Sequence, residues 1–164
     1  MTNTPEEWAY LAGIIDGEGY LSAGWNNKDG YVKGIGINVT SIDECLIDWL
    51  IEKFGGRKDY RGKTSSRNAA FRWHIERREL LRNILVNTLP YLVIKRRQAG
   101  VMLTLVDHLD NRPHLLYETP TSRANEVERK RRKIIRFIFN SRAKLLREGV
   151  KESRHCCPDH WARA

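Results

Sequence analysis

The side chains best suited to chemistry fall in two segments that are far apart in the sequence. Asp16 and Glu18 alternate with Gly17 and Gly19, and carboxylate oxygens are ligands that hard divalent cations such as Mg²⁺ prefer. Residues 95–97 read Lys-Arg-Arg, and a fixed cation beside a phosphate stabilises the negative charge that develops during its reaction. The ordinary alternatives are a polar helix end for Asp16 and a solvated basic run for residues 95–97.

A helix predicted over residues 5 to about 16 carries the two carboxylates at its end. Thr4 is predicted to be the N-cap, with Pro5 at the first helical position and Glu7 completing a capping box. Residues 17–19, Gly-Glu-Gly, are predicted to end the helix because glycine tolerates backbone turns that other residues resist.

This helix has two faces of different kinds. The spacing of one apolar set predicts packing on a core: Trp8, Leu11, Ala12 and Ile15. Ala9 and Gly13, four residues apart, form a face of small residues that another backbone could approach closely.

The rest of the chain predicts two β-hairpins and further helices. Strands are expected over residues 20–26 and 31–40 and over 57–61 and 69–75, and helices over 42–54, 77–88, 95–109 and 125–147. The predicted fold class is α+β, with one domain over residues 1–149. Its αββαββα core spans about 5–110, a helical extension spans 111–149, and a loosely structured tail spans 150–164.

Alternation along the strands predicts one apolar and one polar face for each hairpin. In the first hairpin the polar face also carries Gly24, Gly34 and Gly36. We interpret these glycines as room for something large and rigid to lie against the sheet, with loosened edge packing as the alternative.

The charge of the chain points to a polyanionic partner. The formal net charge is +9, and it divides into −6 over residues 1–56 (3 basic, 9 acidic), +9 over 57–97 (12 and 3) and +6 over 98–164 (14 and 8). Such a basic footprint is typical of nucleic-acid binding, although a solvated basic surface is the alternative. Three cysteines do not form a disulfide framework, and residues 155–160 have no recognisable zinc spacing. No apolar run is long enough to span a membrane, so we expect an intracellular protein without a membrane partner.

Residues 11–19 read LAGIIDGEG, and residues 89–99 read LPYLVIKRRQA. Together with the αββαββα order over about residues 5–110, these segments resemble the LAGLIDADG homing endonucleases. Because one copy of the nonapeptide is present, the resemblance implies the single-motif type that acts as a homodimer. It also implies that Glu18 and the backbone carbonyl of Gly17 bind the metal and that Lys95 is the active-site lysine. Arg97 is expected to assist Lys95, and Ser41, after the second strand, to help organise water.

The residues support this dimer. Close contact through Ala9 and Gly13 would bring two copies of Glu18 together, and like charges at such proximity are costly unless a cation neutralises them. Mg²⁺ is the expected cofactor, and other divalent ions such as Mn²⁺ or Ca²⁺ could occupy the same site.

DNA recognition is expected from the polar faces of the hairpins, since an antiparallel sheet can enter a major groove. The candidates are Ser22, Asn26, Lys28, Asn38, Arg72 and His74, with either Arg57, Asp59 and Arg61 or Lys58 and Tyr60 from the third strand, whose orientation the sequence leaves open.

The predicted function is site-specific cleavage of double-stranded DNA at a long pseudo-palindromic site, with divalent metal ions. One alternative is a maturase that binds intron RNA on the same scaffold. Another is a DNA-binding regulator that has lost catalysis.

Overall fold

The computed structural model describes residues 3–27, 31–63, 68–111 and 126–152. Its elements in chain order are α1 (Pro5–Glu18), β1 (Gly19–Asn26), β2 (Tyr31–Ser41), α2 (Glu44–Phe54), β3 (Arg57–Arg61), β4 (Ala70–Ile75), α3 (Arg78–Thr88), α4 (Arg96–Asp110) and α5 (Glu126–Glu152). The four strands form one antiparallel sheet in the order β1-β2-β4-β3. The predicted α+β class and αββαββα order are therefore confirmed.

Helix α1 begins as the sequence predicts, but it ends for a different reason. The Thr4 hydroxyl accepts a hydrogen bond from the Glu7 amide (3.3 Å), and the Glu7 carboxylate accepts one from the Thr4 amide (2.9 Å), which completes the capping box. Gly19 follows the last turn in extended backbone (φ −76°). A Cβ at Gly19 would lie 2.5 Å from the Ile15 carbonyl oxygen. Gly19 is thus required by close approach of the backbone rather than by an unusual dihedral angle.

One face of the sheet packs under the helices and forms the core. Its buried side chains alternate along the strands and are less than one-tenth exposed: Leu21, Ala23, Ile37, Val39, Trp73 and Ile75. The other face carries the polar side chains, and we call it the polar sheet face: Tyr20, Ser22, Asn38, Thr40, Arg57, Asp59, Arg61, Arg72 and His74. The predicted separation into an apolar and a polar face is therefore observed.

The first hairpin contains a β-bulge that simple alternation does not predict. Ser22 pairs with Gly36 but Gly24 pairs with Lys33, so two residues of β2 oppose Ala23. Gly34 lies in the bulge with φ +59°, a left-handed conformation that glycine adopts without a Cβ clash. Because the bulge reverses the alternation of β2, Val32 and Ile35 are both buried.

Helix α5 is part of the core and extends further than predicted. Ala143 and Val150 are almost fully buried, and the side chain of Gln98 on α4 donates a hydrogen bond to the Val150 carbonyl (2.9 Å). The helix continues through Gly149 to Glu152, so the predicted boundary at residue 149 falls inside it. The rest of the predicted tail, the segment before α5 and the predicted DNA-binding residue Lys28 lie outside the described residues.

Candidate active site and nucleic-acid interface

Asp16 joins the end of α1 to the segment that enters α4. Its carboxylate accepts hydrogen bonds from the backbone amides of Val93 (2.7 Å), Ile94 (3.2 Å) and Lys95 (2.8 Å). Lys95 is the N-cap of α4 and has no side-chain acceptor to offer. Asp16 therefore binds the backbone of the segment that leads into α4, up to 79 positions later in the chain, which places the end of α1 beside Lys95.

The Lys95 side chain is held at this junction. Its Nζ atom donates a hydrogen bond to the Asp16 backbone carbonyl at 2.5 Å, one of the carbonyls that a helix end leaves without an intrahelical partner. Partial burial lowers the pKa of Lys95 from its ordinary value, and the negative charges of Asp16 and Glu18 oppose this shift. An ammonium group has three donors, so Lys95 keeps N–H groups for a further acceptor.

Glu18 and Gly17 present oxygen atoms at the exposed end of α1. Among the described residues, the Glu18 carboxylate forms no hydrogen bond or ion pair, and a Cβ at Gly17 would have nothing within 4 Å. A free carboxylate and a helix-terminal carbonyl are a donor set that suits a hard divalent cation. Within the described part of one chain, no group of three acidic, histidine or cysteine side chains is close enough to hold a metal ion.

The small-residue face of α1 is open. Ala9 and Gly13 are exposed, and a Cβ at Gly13 would meet no atom within 4 Å. Gly17 continues the same spacing by one turn, so this surface leads directly to Glu18.

The two auxiliary candidates lie in different surroundings. The Ser41 hydroxyl accepts a hydrogen bond from the Asp43 amide (3.0 Å) at the entry to α2. Gly19, the first residue after α1, pairs with Val39 of β2. Ser41 therefore lies at the same end of the sheet as the C-terminal end of α1, which carries Glu18. Arg97 is exposed in the first turn of α4, two residues after Lys95.

The predicted DNA-binding side chains lie on the polar sheet face. Cross-strand pairing places Tyr20, Asn38, His74 and Arg57 in one row across all four strands. Ser22 lies beside this row, where its hydroxyl donates to the Gly36 carbonyl (3.3 Å) and accepts from the Asn38 side-chain Nδ2 (3.3 Å). Asn26 ends β1 on the same alternation as Ser22.

The structure resolves the orientation of β3. Arg57, Asp59 and Arg61 pair with His74, Arg72 and Ala70 and share the polar sheet face. Lys58 lies on the opposite side, where it forms ion pairs with Glu44 and Asp48 of α2. Its neighbour Tyr60 contacts Phe71 there, with ring centroids 5.3 Å apart.

Asp59 is a carboxylate on an otherwise cationic and polar surface. It forms an ion pair with Arg72, and its Oδ2 atom lies 3.4 Å from Nδ1 of His74, whose side chain is only 10% exposed. The hydrogen bond from Arg72 holds the pKa of the Asp59 carboxyl below its ordinary value, and the positive charges of Arg72 and Arg61 act in the same direction. Arg72 and His74 therefore have an intramolecular neighbour that sequence analysis did not indicate.

The comparison with known proteins rests on structure. No family model and no curated protein sequence matches the chain. The homing endonuclease I-CvuI, solved with its target and Ca, aligns with a TM-score of 0.57 at 17% identity, over 93% of this chain and 97% of that chain. The archaeal intron-encoded homing endonuclease I-Vdi141I, complexed with DNA, aligns with a TM-score of 0.54 at 15% identity, over 90% and 96%.

A third solved structure, the LAGLIDADG meganuclease I-CpaMI bound to uncleaved DNA, aligns with a TM-score of 0.55 at 16% identity, over 84% of this chain but 50% of that chain. At these identities the likeness establishes the architecture. The chain has the fold of the LAGLIDADG homing endonucleases, the family that its residues 11–19 resemble.

Proposed function

We propose that this chain is a metal-dependent endonuclease that cleaves double-stranded DNA as a homodimer at a long, nearly palindromic site. The observation that carries the proposal is the junction at Asp16, which joins an exposed carboxylate, Glu18, to a partly buried cation, Lys95. A carboxylate and a cation fixed at the edge of a polar sheet face are the groups that phosphodiester hydrolysis needs.

Each residue of the proposed site has a distinct task. Glu18 and the carbonyl of Gly17 would hold Mg²⁺, which supplies activation of water and stabilisation of the leaving oxygen. Lys95 places its ammonium group beside the scissile phosphate, where a fixed positive charge stabilises negative charge in the transition state. Ser41 and Arg97 are assigned supporting roles in holding water and phosphate.

Dimer formation is proposed through the small-residue face of α1. The face is exposed and free of side-chain bulk at Gly13, and a second copy of the helix could approach it closely. The chain aligns with nearly all of I-CvuI but with half of I-CpaMI, which supports a one-domain subunit. Two copies would bring two Glu18 carboxylates to the same place.

DNA is proposed to lie on the polar sheet face. The relatives that share this fold were solved with DNA, and the basic middle and end of the chain supply complementary charge. Arg57, Arg61 and Arg72 are the candidates for guanine or phosphate contacts, and Ser22, Asn26 and Asn38 are candidates for base contacts.

The proposal is tested by incubating the protein with a library of DNA duplexes. The duplexes are built from the DNA that flanks the gene of this protein. Wild-type protein should cleave a subset of these duplexes with Mg²⁺ and stop cleaving with EDTA. Glu18→Gln should abolish cleavage and leave DNA affinity within roughly tenfold, because it removes a metal ligand without adding bulk. Glu52→Gln, a matched change at an exposed position of α2, should cleave normally.

Other outcomes would contradict the proposal. Tight DNA binding without cleavage would favour the regulator. Preference for structured intron RNA over every duplex would favour the maturase. Unchanged cleavage by the Glu18 variant would remove Glu18 from the mechanism.

A further inference from the structure

A shallow cavity of about 410 Å³ lies between the first hairpin and the C-terminal end of α5. Tyr20 and Ser22 of the polar sheet face line it on one side, and Arg147 and Lys151 of α5 line it on the other, with Lys33 of β2 completing the wall. The cavity therefore continues the polar sheet face beyond its edge strand, β1.

The end of α5 is fixed in this position. The Nε atom of Arg147 donates a hydrogen bond to the Ala23 carbonyl of β1 (3.0 Å), and its guanidinium also pairs with Glu148. Val150 is fully buried, and its carbonyl accepts the hydrogen bond from Gln98. The backbone of the last turns of α5 is thus fixed by packing, and Arg147 binds the sheet directly.

Two of the three cations that line the cavity have no counter-charge among the described residues. Among the described residues, neither Lys33 nor Lys151 forms an ion pair, whereas Arg147 is already engaged with Glu148 and the Ala23 carbonyl. Two ammonium groups without ion pairs therefore line one concave surface of positive charge. Such a surface suits an anion with several oxygen acceptors.

We propose that Lys33 and Lys151 form a phosphate-binding site for the DNA backbone, at the flank of the duplex that lies on the polar sheet face. This inference rests on the proposed function, since the same duplex must occupy both surfaces. Contacts of this kind position the protein on DNA and do not read its sequence. Helix α5 therefore takes part in binding as well as in the core.

The salt dependence of binding to a fluorescent duplex of random sequence tests this site, because phosphate contacts do not need the cognate target. Each phosphate contact that is lost should reduce the slope of log K against log salt concentration by about 1. Because the proposed dimer carries two copies of the site, Lys151→Gln should reduce the slope by about 2, and Lys33→Gln/Lys151→Gln by about 4. Lys151→Arg should restore the wild-type slope.

Arg142→Gln is the matched control. Arg142 is exposed on the same helix, nine residues before Lys151 and therefore on the opposite side of α5. Arg142→Gln removes the same formal charge as Lys151→Gln, so any general effect of net charge on the slope appears in both variants. We expect the slope of the Arg142 variant to equal that of the wild type.

The outcomes separate this inference from the proposed function. Wild-type binding with an unchanged slope in the double lysine variant would overturn the phosphate site alone. Equal reductions of the slope in the Lys151 and Arg142 variants would also overturn the phosphate site, because the effect would then be one of net charge. A wild-type protein that does not bind the duplex would contradict the proposed function and this site together.

Discussion

Asp16 binds a segment of the chain that is far from it in the sequence. Its carboxylate binds three consecutive amides of residues 93–95, and its own carbonyl binds the Lys95 ammonium group. The side chain therefore fixes the backbone of Lys95 while the main chain fixes its charge. If Lys95 acts on phosphate, Asp16 is the residue that positions it.

Replacing Asp16 by Ala should slow cleavage by about 10- to 100-fold, because supporting contacts of this kind typically have such effects when they are lost. DNA affinity should change little, since Asp16 is not part of the polar sheet face. Single-turnover cleavage and equilibrium binding of the same duplex separate the two quantities. Asp16→Asn, which keeps one side-chain oxygen, should lose less activity.

A double-mutant cycle identifies the route of this effect. If Asp16 acts through Lys95, the Ala substitution should add little to the loss already caused by Lys95→Met. Additive losses would show that Asp16 supports the fold or Glu18 instead.

The ion pair of Asp59 gives a pH-dependent contribution to stability. The pKa of Asp59 is lowered in the folded chain by Arg72, so the stabilisation is present above its ordinary value of 3.8 and is lost as the pH falls through the folded value. Wild-type protein should have a higher Tm than Asp59→Asn at about pH 6. This difference in Tm should shrink as the pH falls below 3.8 and vanish once the pH lies below the pKa of Asp59 in the folded chain. An equal difference at pH about 6 and at that acidic pH would contradict the ion pair.

Residue types and the family resemblance indicated the candidate site residues, but the contacts of these residues depend on the fold. The sequence placed Glu18 and Lys95 in a common site through resemblance, and the structure brings their segments together through Asp16. No local pattern in residues 93–95 indicates that their amides bind a carboxylate at the end of α1. The burial of His74 next to Asp59 could not be predicted, because it depends on the pairing of β3 with β4.

At the scale of elements, α1 has two roles in the proposed dimer: it packs the core through one face and meets the partner helix through the other. Gly13→Leu should give monomers in sedimentation velocity, because four added carbons would hold the paired helices apart. The isolated subunit should remain folded, since a Cβ at Gly13 meets no atom within 4 Å.

Gly100→Leu is the control for this prediction. Gly100 is also a helical glycine, in α4, and a Cβ added there would have nothing within 4 Å. The substitution should leave the dimer intact. A dimer that survives Gly13→Leu would place the contact on another surface.

The periodicity of the sequence predicted the type and order of the elements better than their ends. Ile42 was included in the second predicted helix, but α2 begins at Glu44 with Asp43 as N-cap, and Ile42 is 77% exposed. The bulge at Gly34 was missed because a register shift depends on the partner strand, which alternation along one strand does not contain.

At the scale of the whole molecule, α5 contributes Ala143 and Val150 to the same hydrophobic core as α1–α4 and the sheet, so we expect the chain to unfold as one unit. Val150→Ala should lower the free energy of unfolding by about 2 kcal/mol, from the loss of two buried methyl groups and the cavity that remains. Denaturant unfolding should stay a single transition for both proteins. Two transitions in the wild type would show that α5 folds apart from the αββαββα core.

If DNA lies on the polar sheet face as proposed, Gly24 and Gly36 limit which positions can be changed to alter the preferred DNA sequence. A Cβ at Gly36 would lie 2.2 Å from the Ile75 carbonyl oxygen, and one at Gly24 would lie 2.6 Å from that of Lys33. Both glycines are therefore required by the close approach of a neighbouring strand's backbone, not by a ligand. A retargeting library should therefore randomise the side chains around them, such as Ser22, Asn38 and Arg72, and keep both glycines constant.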